Sequence, residues 1–302
     1  MMTLFPLVRR ILAAAGVLLL VVSAKSDEAT TYPEPEDATV KNGVFQADYF
    51  GLRYPLPAGW SEDLKGPEPS DTGYYSLAAL KPEGEMIATM QISAQDNFFV
   101  SDLAGTATDF LAGMKQHLDP SLSAHGAIAS VELGGLHFAR LDYSGAGLNH
   151  SVFATEIRCH TVIFSITSGS KEAIDGLTQS LKKISFSAEG RQATASQTTA
   201  PKAGWPVCIR DDAYAGHIVR KVDPVIIGPR YASVPVRLII GADGKIEHIH
   251  AISGYPEQIK SVTDALSRWE FKPYIVDGNP VEVETGLLFQ FPKAPQQQSP
   301  RR

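Results

Sequence analysis

The chain predicts an α+β protein of two domains, the first an antiparallel sheet with two helices and the second a small antiparallel sheet with one helix packed on it. Three observations predict this. Apolar residues alternate with period two in strand-like stretches, most plainly at Val234, Val236, Leu238 and Ile240. Three segments switch to steps of three and four, the helical period. Residues 188–203, AEGRQATASQTTAPKA, are small and polar without periodicity and read as a flexible linker between the halves. A chain of 302 residues with 44% hydrophobic and 20% charged content is long and apolar enough for two cores.

At the start, Arg9 and Arg10 precede an apolar run from Ile11 to Ala24, so residues 1–24 read as a secretory signal. The run falls short of the ~20 residues that span a bilayer. An uncleaved inner-membrane anchor is the alternative if Leu4 to Val8 is drawn in. Either way the bulk of the chain is expected in the periplasm, with 25–43 as a linker. Cys159 and Cys208 are the only cysteines, one in each expected domain. In an oxidising compartment they can form an interdomain disulfide; two buried, unpaired thiols are the other reading. The formal net charge of -6 argues against nucleic acid or an anionic membrane surface as partner.

The first domain is expected over 44–187. Val44 to Trp60 reads as a strand entering a Pro-Gly turn, followed by strands at 73–81 and 86–94. Leu103, Ala107, Phe110, Leu111, Met114 and Leu118 predict a helix over 101–118, capped by Ser101. Four strands follow near 127–133, 136–143, 150–158 and 161–168, and GAGLNHS at 145–151 reads as a hairpin loop. Ile174, Leu177 and Leu181 put a second helix near 170–183. This order, with Tyr54-Pro55 and Gly59-Trp60 in the opening strand, resembles the α/β sandwich of PsbP-like and DcrB-like proteins. The resemblance implies a fold and an exported location, and no reaction.

The second domain is expected over 204–291, ahead of a disordered tail at 292–302. Val234, Val236, Leu238 and Ile240 alternate along one strand, ADGK supplies an Asp-Gly hairpin, and 245–253 is the return strand. Pro256 opens a helix whose buried stripe is Ile259, Val262, Leu266 and Trp269. Phe271, Pro273 and the turn IVDGNP lead to a last strand at 281–291. Asp243-Gly244, Ser253-Gly254, Trp269-Phe271-Pro273 and Gly278-Pro280-Val281, in this order, resemble the C-terminal domain of the TonB energy-transducer family over roughly 216–291. Taken singly, the Asp-Gly pair is a hairpin turn, and Trp269 and Phe271 are core aromatics where helix meets sheet.

That resemblance implies a protein or peptide partner, such as the plug segment of an outer-membrane transporter, held by strand addition. The implied acceptor edge is Val281, Glu282, Val283, Glu284, Thr285, Gly286, Leu287, Leu288 and Phe289. Glu282 and Glu284 are expected to face away from Val281, Val283 and Thr285 as exposed charges that guard the edge. The same edge suits a homodimer, and a protected edge without a ligand is the plain alternative. Three features depart from the family: a folded domain stands where a transducer has a long Pro- and Lys-rich span, the N-terminal apolar run lacks the His that the family's anchor pairs with a Ser, and DPVIIGPRYASV at 223–234 lacks the usual spacing. Force transduction is therefore in doubt, and binding is the better part of the inference.

No motif for catalysis, cofactor or metal emerges. Gly-x-Ser-x-Gly, His-Glu-x-x-His and phosphate loops are absent. His248 and His250 share a strand face but lack a completing ligand nearby, and are expected to face solvent. The reading is a non-enzymatic envelope protein that binds a partner through its TonB-like domain. Its rival gives the small-ligand or complex-assembly role to the first domain and leaves the TonB-like domain structural or dimerising.

Overall fold

Period-two alternation in the N-terminal half sorts side chains onto the two faces of one large sheet, and each face has its own core. The computed structural model describes residues 32–63, 66–84, 86–100, 106–187, 206–209, 215–225 and 233–291. The expected signal, the 188–203 linker, the tail and the proposed Ser101 cap lie outside the described residues. Strands β1 (Thr39–Lys41), β2 (Val44–Ala47) and β3 (Leu52–Pro55) start a small sheet, and β4 (Trp60–Glu62), β5 (Tyr74–Pro82) and β6 (Ala88–Asp96) start the large one. Then come α1 (Ala107–Gln116), β7 (Ser123–Leu133), β8 (Leu136–Gly145), β9 (Leu148–Ile157), β10 (His160–Ser168), α2 (Lys171–Leu181) and β11 (Ser185–Phe186). The small sheet runs β1-β2-β3-β11 and the large one β4-β5-β6-β10-β9-β8-β7. Strand β1 falls inside the tract expected to be a linker; three residues carry too little alternation to be read as a strand.

Along β8, Phe138 joins Phe153, Phe164, Phe45 and Tyr54 in the core between the sheets, which α2 closes with Ile174, Leu177 and Leu181. Ala139 and Leu141 point the other way and pack with Val152, Ala154 and Ile163 under Leu111 of α1. Helix α1 opens at Ala107, where the Thr106 hydroxyl accepts from the Asp109 amide at 3.1 Å.

The C-terminal half contains β12 (Val207–Cys208), β13 (Ile218–Arg220), β14 (Val234–Ile240), β15 (Ile246–Ala251), α3 (Pro256–Leu266), β16 (Glu270–Phe271), β17 (Tyr274–Val276), β18 (Asn279–Val281) and β19 (Val283–Phe289). Its main sheet runs β12-β19-β14-β15, with β12 parallel to β19 and the other pairs antiparallel. Pro256 stands in the first turn of α3, where its missing amide hydrogen costs nothing. Val262 and Leu266 pack on Val234, Val236, Leu238, Ile240 and Val283. Trp269 stands past the helix end, its indole donating to the Val222 carbonyl at 2.7 Å.

All seven residues of β14 are buried, including Arg237 and Ile239 on the face turned away from α3. The N-terminal half covers that face, and Pro33–Arg302 forms one compact unit. The Asp243-Gly244 turn also does more than close a hairpin. Gly244 has φ +82°, and its carbonyl accepts from the Phe271 amide at 2.9 Å. A Cβ there would overlap the Phe271 carbonyl oxygen. Gly244→Ala should therefore cost about 2–4 kcal/mol, left-handed strain plus overpacking. Gly278→Ala, with the same φ of +82° but open space around it, should cost only about 1–2 kcal/mol. Urea denaturation of both variants checks this; equal losses would show that the Phe271 contact is unimportant.

Candidate functional site

The expected acceptor edge is divided by the structure. Val281 belongs to β18 and pairs with Tyr274, Glu282 stands between strands, and Val283 to Phe289 form β19. Every residue of β19 pairs with β14, from Val283 opposite Ile240 to Phe289 opposite Val234. On the other side, the Val207 amide donates to the Glu282 carbonyl at 2.8 Å and the Ile209 amide to the Glu284 carbonyl at 2.9 Å. A strand residue turns its N–H and C=O to the same side, so Glu284, Gly286 and Leu288 face outward. Among the described residues Gly286 and Leu288 have no strand on that side, and Leu288 is 45% exposed. Pro235 fits this register: it lies opposite Leu288, and its carbonyl accepts from Ile252 on the far side.

Glu284 is not the exposed guard charge that alternation suggests. It is 3% exposed, because the face that a free-standing domain would turn to water is covered by the N-terminal half. Gly286 makes the approach possible, since a Cβ there would press into Phe98 and Phe99. Glu282 is half-buried, and desolvation, with Glu247 nearby, raises its pKa.

Beneath the edge lies a closed set of charges. Arg237 is 3% exposed and forms ion pairs with Asp96 at the end of β6 and with Glu284, 2.5 Å from Nη2 to Oε1. Nη2 also donates to the Tyr49 hydroxyl at 2.7 Å, and that hydroxyl donates to Glu284 at 2.9 Å. Arg158 lies 3.7 Å from the second Glu284 oxygen, donates to the Tyr49 carbonyl at 3.1 Å and stacks over the Tyr49 ring. Burial would raise the Glu284 carboxyl, but Arg237 and Arg158 outweigh it and hold the pKa down. Burial raises Asp96, offset only in part by Arg237. His160 is fully buried and its pKa lies well below the ordinary value, through desolvation and then Arg237. Its Nδ1 donates to the Arg158 carbonyl at 2.7 Å, which leaves Nε2 to accept from Arg237 at 3.2 Å. Two cations thus face two anions around a neutral imidazole.

Cys159 and Cys208 are joined by a disulfide, with Cα atoms 5.9 Å apart, linking the β9–β10 turn to β12. Arg158 and Cys159 form that turn at φ +48° and +63°, a conformation that non-glycine residues adopt rarely. The contacts of Arg158 and the disulfide of Cys159 hold it there. His248 and His250 are not solvent-facing: His248 Nε2 lies 2.6 Å from Glu34, and His250 Nε2 lies 3.1 Å from Glu36. Residues from the expected linker thus lie along the edge strand β15. Among the described residues no cluster of three His, Cys, Asp or Glu is arranged to hold a metal ion.

Of the family-motif residues, Trp269 and Phe271 are buried core, and Asp243 accepts from the Lys245 amide at 2.9 Å. Gly278 forms the β17–β18 turn, while Pro273 and Pro280 are exposed. Sequence reading missed Asp96, Arg158, Arg237, Tyr49 and His160. The one available signal was Arg237 inside VPVRLII, a charge in an otherwise unbroken apolar run.

Arg237→Met should destabilise the protein by about 3–5 kcal/mol, because Asp96 and Glu284 stay buried without their counter-ion. Adding Asp96→Asn and Glu284→Gln should recover more than half of the loss in urea denaturation. A cost below about 1 kcal/mol for the single change would contradict the arrangement. Burial would lower the His250 pKa, but Glu36 and then Glu34 outweigh it and raise it above 6.5. With the folded value above the unfolded one, its stabilisation is complete below pH 6.5 and is lost as pH rises through the folded pKa. His250→Gln should therefore destabilise at pH 5.5 and have little effect at pH 8.5, read as the shift in urea midpoint.

A search of curated proteins gives no match to this chain. Among solved structures the chain is similar to the solution structure of cyanobacterial PsbP (CyanoP) from Synechocystis sp. PCC 6803, at 16% identity. That likeness covers 46% of this chain and 88% of that one, with a TM-score of 0.33. Residues 230–292, which hold β14 to β19, match the family model for the Gram-negative bacterial TonB protein C-terminal.

Proposed function

We propose that this is a non-enzymatic protein of the cell envelope whose C-terminal half captures an extended protein segment along the outer edge of β19, in the service of transport across the outer membrane. One observation carries the reading. Gly286 and Leu288 turn backbone donors and acceptors outward with no strand beside them among the described residues, in a region that matches the TonB C-terminal model. Backbone pairing there would supply affinity and alternate side chains specificity. The N-terminal half would serve as a rigid base, since its charges lock onto the other face of the same sheet. A TonB-like partner, the plug segment of an outer-membrane transporter, is the class of ligand to test first.

A second reading rests on a cleft of about 290 Å³ in the N-terminal half, where Arg140, His150, Lys171 and Asp175 converge at the start of α2. Its charged side chains suit a small charged ligand. Arg140 and Asp142 already pair with one another at 2.9 Å, which leaves fewer free groups than the edge offers.

Hydrogen exchange of the full chain, with and without a panel of transporter plug peptides, tests the first reading. Protection should appear at Gly286 and Leu288. Leu288→Pro removes an outward amide without touching the β14 ladder, so it should fold normally and lose at least about tenfold in peptide affinity. Protection confined to the cleft at α2 would move the function to the N-terminal half.

A further inference from the structure

The two carbonyls at the start of the β19 edge, those of Glu282 and Glu284, are already taken, and the chain itself takes them. Residues Pro206 to Ile209 lie parallel to β19, with Val207 opposite Val283 and Cys208 opposite Glu284. The side chains alternate as a bound strand requires. Ile209 is 7% exposed and Val207 partly buried, both packed in the core under α3. Cys208 takes the opposite face, that of Glu284, and is covalently tied to Cys159 beside Arg158 and His160. Among the described residues the pairing is two residues long, too little to hold a strand by hydrogen bonds alone. The disulfide supplies what the ladder does not.

From this arrangement we infer that Pro206 to Ile209 is a resident strand occupying the acceptor edge, and that reduction of Cys159–Cys208 releases it and lengthens the edge for a partner. The inference rests on the strand-capture reading above and adds its control and the kind of segment it fits. The partner strand would run parallel to β19, with β-branched apolar residues at alternate positions to fill the places of Val207 and Ile209. Cys208 is exposed and Cys159 is 3% exposed, so the accessible sulfur is that of Cys208. A thiolate of an envelope dithiol protein attacks Cys208 Sγ, the Cys159–Cys208 bond breaks, and Cys159 leaves as a thiolate that takes a proton. The second thiol of the dithiol then attacks its own partner sulfur, and Cys208 departs as a thiol. Two electrons pass to this chain, and the donor ends as a disulfide.

The probe is a fluorescent peptide of residues 204–210 with serine at position 208, Gly-Trp-Pro-Val-Ser-Ile-Arg, followed by anisotropy on the full chain. Hydrogen exchange over 282–289 is measured in parallel, before and after treatment with tris(2-carboxyethyl)phosphine. Reduction should raise exchange at 282–286 and tighten probe binding at least about tenfold, because an intramolecular competitor at millimolar effective concentration is removed. The double variant Cys159→Ser with Cys208→Ser should bind without reductant. The single variant Cys208→Ser breaks the link and leaves the buried Cys159 in place, so it too should bind the probe without reductant, which covers the case that the double variant does not fold. Equal binding in oxidised and reduced chains, or unchanged exchange at 282–286, would overturn the latch and leave strand capture standing. Raised exchange with no binding in any state would overturn strand capture itself, and the latch with it.

Discussion

The pairing of Arg237 with Asp96 and Glu284 is the constraint on which the rest of the structure depends. A guanidinium at the middle of a strand buried on both faces is tolerable only if counter-charges and hydrogen-bond acceptors are brought to it. One acceptor comes from the neighbouring strand, the other from the far half of the chain. Tyr49 and His160 each take a further donor of the guanidinium, and Arg158 balances the second carboxylate. Hydrophobic contact would hold two sheets together in many relative positions. This network permits one, since each of its members is a directional partner of another.

The register that results has a chemical consequence at the sheet edge. Because Glu284 must face Arg237, Gly286 lies against Phe98 and Phe99, and the outward backbone of β19 is left on the rim of the interface. The same geometry brings the β9–β10 turn alongside β12, within reach of a disulfide. Charge network, covalent link and strand edge therefore lie side by side. The resemblance to a TonB C-terminal domain covers the helix and three of the four strands of its sheet, β14, β15 and β19; what this chain adds is a second body on the face opposite that helix.

Much of the fold was legible because it obeys local periodicity. The alternation of Val234, Val236, Leu238 and Ile240, the proline before α3 and the Asp-Gly turn each have one economical reading, and the structure follows it. What failed was the inference from alternation to exposure. A polar residue between apolar ones reads as solvent-facing, so Glu284, His248 and His250 read as surface, although all face the N-terminal half or the tract before it. No local pattern encodes a contact between residues 141 positions apart, as Arg237 and Asp96 are. Short elements were lost for a different reason: β1, β12 and β13 hold two or three residues each, too few for a period to show.

The wide spacing of the charge partners also orders events in time. Tyr49 and Glu284 are 235 positions apart, so the ring of charges closes only after nearly the whole chain has been made. Until β19 arrives, the emerging N-terminal half carries a carboxylate at Asp96 and a guanidinium at Arg158 with no completed surroundings, and it has reason to stay loose at that surface. Truncation anywhere before residue 284 would leave the earlier half without its final neutralising group. A structure finished by its last strand resists premature compaction, because the same charges that later lock the halves together stay unmatched until that strand arrives.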